Sequence, residues 1–118
     1  MIKKRIITLM LGALSLFALF SLARCDIYVE YARITSPIDG STTYDSLAHI
    51  EGYAHVNLDY YDTMETKLYI NGVHVSTHYS THFSSLELLD PGYNIITVKV
   101  YKNNAYWVSD SINVYYAN

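Results

Sequence analysis

Leu68-Tyr69-Ile70-Asn71-Gly72-Val73-His74-Val75 decides the fold class of this chain. Asn71-Gly72 tolerates the positive φ angles of a two-residue type I′ turn, and the flanking residues alternate apolar and polar, the period of a half-buried strand. This reading pairs Ile70 with Val73 and Leu68 with Val75, directs those four to one face, and leaves Tyr69 and His74 on the other. Working outward, Ile50, Ala54 and Val56 alternate with His49, Glu51, Tyr53 and His55, and Ile96, Val98 and Val100 alternate with Thr97, Lys99 and Tyr101. No helical period is found from Asp26 onward. One apolar face per strand requires two sheets that close over a shared core.

Strands are expected over 27–34, 46–56, 65–70, 73–78, 82–89, 93–102 and 105–116. The chain has 118 residues, enough for one domain, and its single cysteine excludes an internal disulfide. About seven short strands at this spacing predict an all-β, immunoglobulin-like sandwich over 26–118; an open barrel is the competing closure.

The residues carry a resemblance as well. Ile34-Thr35-Ser36-Pro37-Ile38-Asp39-Gly40 resembles the "SP-x-DG" opening of bacterial immunoglobulin-like domains of the glucodextranase B domain type. Ile50-Glu51-Gly52-Tyr53-Ala54, Leu68-Tyr69-Ile70-Asn71-Gly72, Phe83 and Leu89-Asp90-Pro91-Gly92-Tyr93-Asn94 follow in the same order, and Ile96-Thr97-Val98 continues the next strand. The resemblance covers about residues 32–116. It implies the sandwich fold and a non-catalytic role as spacer, stabiliser, adhesion unit or sugar-binding accessory. Two departures stand out. Ser85 and Glu87 occupy positions where inward apolar or small residues are expected, which predicts a bulge or shifted register in that strand. The loop from Asn57 to Glu65 is longer and more acidic than the pattern requires, and is the candidate for a variable functional loop.

The first 25 residues read differently. Lys3, Lys4 and Arg5 precede the uncharged stretch Ile6–Leu22, the layout of a signal helix for export. Ser21-Leu22-Ala23-Arg24-Cys25 resembles a bacterial lipobox, with Arg24 standing where a small residue is usual; the resemblance implies a lipidated Cys25. Cleavage after Ala23 and an uncleaved anchor are the alternatives, because the apolar stretch lies at the lower limit of roughly 17–25 residues for a spanning helix. Each fate places the remainder in the cell envelope or outside it, held at a membrane or secreted. That remainder holds Arg33, Lys67, Lys99 and Lys102 against all eleven acidic residues, a formal charge of −7, which disfavours nucleic acid and anionic headgroups as partners.

All thirteen tyrosines also lie in this part. Tyr69 and Tyr101 are expected to share an outward face, Tyr60 and Tyr61 sit in the acidic loop, and Trp107 follows Tyr106 after the Asn103-Asn104 turn. These aromatic residues suit a protein partner or a sugar ring, and they equally stabilise an exposed sheet. Asp59, Asp62 and Glu65 supply three carboxylates to one loop, fewer than the six to eight oxygens calcium takes. His74, His78 and His82 are four apart, and in extended chain four residues cover roughly 13 Å, far beyond zinc-ligand distances. There is no Gly-x-Ser-x-Gly elbow, HExxH pair or Gly-rich phosphate loop, so no enzyme and no cofactor is expected. The sequence points to a non-catalytic envelope module for protein interaction, adhesion or support, with carbohydrate binding through outward tyrosines as the alternative.

Overall fold

The computed structural model describes residues 29–118. The hydrophobic segment, Cys25 and the first residues of the strand expected over 27–34 lie outside the described residues. The elements are β1 (Tyr31–Ser36), β2 (Ser41–Thr43), β3 (Leu47–His55), β4 (Met64–Ile70), β5 (Val73–His78), β6 (His82–Leu88), β7 (Gly92–Lys102) and β8 (Ala105–Tyr116). They form two sheets, a three-stranded one in the order β1-β3-β6 and a five-stranded one in the order β2-β8-β7-β4-β5. The sandwich, not the barrel, is therefore the closure adopted.

Alternation dictates the core. Ile34, Ala48, Ile50 and Phe83 from the smaller sheet meet Leu68, Ile70, Ile96, Val98, Ile112 and Val114 from the larger, and Ala54, Val56, Met64 and Val100 fill one end. Chain connectivity between the sheets is handled at Pro37. The Ser36-Pro37 bond is cis, and beyond it Asp39 Oδ1 accepts from the Asn113 amide at 2.8 Å while the Gly40 amide donates to the Asn113 carbonyl at 2.7 Å. These bonds carry the chain across to β2, which pairs parallel with β8. Asp110 Oδ2 closes the same side by accepting from the Ile34 amide at 2.8 Å.

Three expectations need correction. The strand β2 is additional, so the described residues form eight strands and not seven. In the β4–β5 hairpin Ile70 faces Val73 and Tyr69 faces His74 as expected, but Leu68 faces Ser76, because a bulge places Val75 between the registered pairs. Leu68 and Ile70 are buried while Val73 is 64% exposed: β5 is the outer strand of the wider sheet, and the three-stranded sheet is too narrow to cover it. The β3–β6 ladder runs without a register shift from Leu47↔Leu88 to Tyr53↔His82. Ser85 and Glu87 simply point inward, hydrogen-bonded to one another, and Leu86 and Leu88 point out.

One buried polar atom stands without a partner. Thr66 is fully buried on β4, and its Oγ1 has no hydrogen-bond partner among the described residues. An unsatisfied buried hydroxyl costs about 1–3 kcal/mol, whereas a methyl of similar size costs nothing to desolvate. Thr66→Val is expected to raise stability by about 1 kcal/mol, seen as a melting point roughly 4–8 °C higher.

Candidate functional site

The outer face of the five-stranded sheet is built from the odd-numbered residues of β4 and β7. Tyr69 lies opposite Thr97, Lys67 opposite Lys99 and Glu65 opposite Tyr101, so aromatic, cationic and acidic side chains interleave across two adjacent strands. The Tyr69 hydroxyl hydrogen-bonds that of Tyr101; that bond first, and partial desolvation second, hold the Tyr69 phenol above its ordinary pKa and keep it neutral. Lys99 Nζ sits 5.1 Å from the Tyr69 ring centre and Lys67 Nζ 5.0 Å from that of Tyr101. The Tyr101 ring meets Tyr106 edge-on at 6.2 Å, and the His74 ring lies 5.4 Å from that of Tyr69. Thus the structure brings Tyr69 and Tyr101 together as expected, yet a lysine already covers one face of each.

This pattern is general. Arg33 lies over Tyr31 at 5.7 Å and Lys102 over Trp107 at 4.8 Å, so every basic residue after Arg24 rests on an aromatic ring. Such contacts occur roughly once per 70–80 residues in ordinary proteins. Their density here means that each of the four cations is held against a ring, and the one adjacent pair, Lys67 and Lys99, has Glu65 beside it at 3.8 Å from Lys67.

Tyr60, Tyr61 and Trp107 gather elsewhere, at one pole of the sandwich. Here β3 runs into β4, β5 into β6 and β7 into β8, and β1 begins beside the end of β3, with Tyr31 opposite His55. The 57–63 loop is fixed to the β7–β8 turn. Asp62 Oδ1 accepts from Asn103 Nδ2 at 2.8 Å, Asp62 Oδ2 accepts from the Asp59 amide at 2.8 Å, Asn103 Oδ1 accepts from the Thr63 amide at 2.9 Å, and Lys102 Nζ lies 3.8 Å from Asp62. The bonds from Asn103 and from the Asp59 amide hold the Asp62 carboxyl below the usual carboxylate range. Asn103 and Asn104 both adopt positive φ, which lets this turn close in two residues. Trp107 is the extra residue of a bulge, since Tyr101 pairs with Tyr106 and Val100 with Val108. Tyr60 and Tyr61 stand at the loop tip, 90% and 89% exposed, with their rings edge-to-face at 4.8 Å.

The candidate metal ligands do not converge. Asp59 and Asp62 are neighbours through backbone bonds, but Glu65 lies on the sheet face beside Lys67, 3.8 Å away, and among the described residues no group of three His, Cys, Asp or Glu side chains is placed to hold an ion. The three spaced histidines are likewise apart: His74 bonds Thr77 Oγ1 at 2.8 Å, His78 bonds Ser76 Oγ at 3.0 Å, and His82 lies 3.4 Å from Glu51.

Sequence reasoning missed a third surface. On the outer face of the three-stranded sheet, Leu47, Leu86 and Leu88 are 49%, 66% and 69% exposed, with Leu47 directly opposite Leu88. They border β6, which among the described residues pairs only with β3. The other edges are blunted: β1 by Asp110, β2 by its length of three residues, and β5 by its bulge. The signal was present in the parity of Phe83, whose burial directs Leu86 and Leu88 outward.

Among solved structures, the chain is similar to the Clostridium thermocellum CbhA fibronectin(III)-like modules, at 14% identity over 73% of this chain and 96% of that one, with a TM-score of 0.59. It is also similar to an engineered protein, at 11% identity over 76% of this chain and 20% of that one, with a TM-score of 0.51. No family model matches, and no curated protein matches significantly. The likeness establishes a fold like that of fibronectin(III)-like modules.

Proposed function

We propose that this protein is a membrane-tethered module of the bacterial cell envelope that binds a protein partner along β6. The observation that carries the reading is the open edge of β6, on which no strand is paired among the described residues, with two exposed leucines alternating beside it. An unpaired strand edge presents main-chain donors and acceptors in the spacing of another strand, and side chains at every second position give specificity. The occupant that fits is an extended segment of a protein partner, adding to β6 and covering Leu86 and Leu88. The tether is supported by Lys3-Lys4-Arg5, the apolar Ile6–Leu22 stretch and the lipobox-like Leu22-Ala23-Arg24-Cys25. The ordered motifs from Ser36 to Asn94 support placement among bacterial immunoglobulin-like domains of the glucodextranase B domain type.

Carbohydrate binding by the tyrosines is less favoured. A sugar ring stacks on an open aromatic face, and lysines occupy one face each of Tyr69, Tyr101 and Trp107.

A photo-crosslinking residue placed at Leu86 in intact cells tests the reading. A discrete adduct is expected from that position, absent from the same residue placed at Thr42 and abolished by Leu88→Asp. Equal labelling at both positions, or none, overturns it; an adduct of twice the chain's own mass makes a second copy the occupant instead.

A further inference from the structure

We infer that the pole carrying the 57–63 loop is a membrane-docking surface, and that Tyr60, Tyr61 and Trp107 rest in the headgroup region of the bilayer to which the chain is tethered. The inference rests on the tether proposed above. Its geometry starts from where the chain begins: β1 opens at this pole, and Glu30, just before it, is fastened there by accepting from the Asn57 amide at 2.9 Å. Between Cys25 and Glu30 lie five steps of chain, which reach at most about 18 Å when fully extended. A lipid on Cys25 therefore keeps this pole within about 18 Å of the bilayer, and even an anchor ending at Leu22 allows no more than about 28 Å. The opposite pole is under no such constraint.

Composition at the pole fits that confinement. Leu58, Tyr60, Tyr61, Tyr79, Tyr106 and Trp107 are all exposed there. Tyrosine and tryptophan combine an apolar ring with a polar tip, and are enriched where one end meets hydrocarbon and the other water. The loop that carries Tyr60 and Tyr61 is pinned through Asp62 to Asn103 and Lys102, so presenting the two rings costs little further ordering. Electrostatics then select the lipid. Among the described residues Glu30, Asp59 and Asp62 gather there beside Lys102, which already neutralises Asp62 and covers Trp107. An acidic pole of this kind docks through its rings on a zwitterionic surface and is repelled by an anionic one.

Trp107 is the only tryptophan, so its emission reports directly on this pole. The full-length protein, purified from membranes with whatever anchor it carries, is to be reconstituted into phosphatidylcholine vesicles whose acyl chains are brominated near the headgroup end. Flotation with the vesicles tests the tether; quenching and a blue shift of Trp107 emission test the docking. Both are expected. Tyr60→Ser with Tyr61→Ser should float equally well but lose most of the quenching, and phosphatidylglycerol should reduce it. A Tyr60→Trp, Trp107→Phe protein, which moves the indole to the loop tip, should be quenched more strongly. Flotation without quenching in either tryptophan position overturns the docking and leaves the tether standing. Failure to float overturns the tether, and the docking with it.

Discussion

Replacing Asn94 with alanine is expected to destabilise the domain by about 3 kcal/mol, which lowers the midpoint of urea unfolding read from Trp107 emission. Asn94 is fully buried at the start of β7 and uses its whole amide. Its Nδ2 donates to the Asp90 carbonyl at 2.8 Å and the Gly92 carbonyl at 3.0 Å, while its Oδ1 accepts from the Asp90 amide at 2.9 Å and from Asn71 Nδ2 at 3.0 Å. Asn71 in turn accepts from the Ile95 amide at 2.8 Å and lies at the positive-φ position of the β4–β5 turn. One buried amide thus folds the turn before β7 and fastens the hairpin to it. Alanine leaves several buried groups without partners, each costing about 1–3 kcal/mol when fully desolvated, with partial relaxation to water reducing the sum. Asn94→Asp separates geometry from chemistry, since a carboxylate accepts but cannot donate to the two carbonyls. It should recover only part of the loss. Asn71→Ala should cost less, and the double variant should cost less than both added together, because the two asparagines share a bond.

Much of the fold was legible because strand alternation reports the core directly. Ile50, Ala54, Val56, Ile96, Val98 and Val100 are all buried, as the period-two reading requires. What escaped it has identifiable causes. Ser41-Thr42-Thr43 has no apolar alternation, and its pairing with Val114 to Tyr116 is set by the crossing after Pro37 rather than by its own residues. The bulge at Val75 is invisible because Val73 and Val75 look inward-facing by composition; only the narrowness of the opposite sheet leaves them uncovered. At β6 the apolar-inward assumption itself failed, since Glu87 points inward with Ser85 as its partner while leucines take the outside.

The candidate surfaces follow the same division. The adjacency of Tyr69 and Tyr101 could be deduced from strand order, because neighbouring strands share a face. The lysines over their rings could not, because cation–ring contacts depend on how long side chains lean across strands. Nor could the aromatic pole, whose members come from positions as distant as Tyr60 and Trp107 and share one end of the sandwich, where Asn103 bonds Asp62 and Thr63. Local alternation encodes which way a residue points; topology decides which residues it meets.

Gly52→Ala is expected to produce the largest single loss, at least about 3 kcal/mol and enough to prevent accumulation of folded protein at 37 °C. Gly52 faces Phe83 across the β3–β6 ladder and Ile34 across the β1–β3 ladder, at the centre of the three-stranded sheet. A β-carbon there would collide with the Arg33 carbonyl oxygen and with the far edge of the Phe83 ring. Neither neighbour can yield cheaply. The carbonyl belongs to the β1 backbone, and the Phe83 ring, 1% exposed, fills the middle of the core. Overpacking in a filled core usually costs 1–3 kcal/mol, and the rigidity of a backbone neighbour places this case at or above the top of that range. Conformational freedom is not the reason glycine is required, because Gly52 is not among the positive-φ residues; the close approach is. A compensating variant therefore discriminates. Phe83→Leu alone should destabilise by about 1 kcal/mol through lost ring contacts, yet combined with Gly52→Ala it should recover part of the loss by withdrawing the ring from the new methyl. If Gly52→Ala proved neutral in urea unfolding, the packing of Phe83 against bare backbone, and with it the parity that turns Leu86 and Leu88 toward solvent, would have to be abandoned.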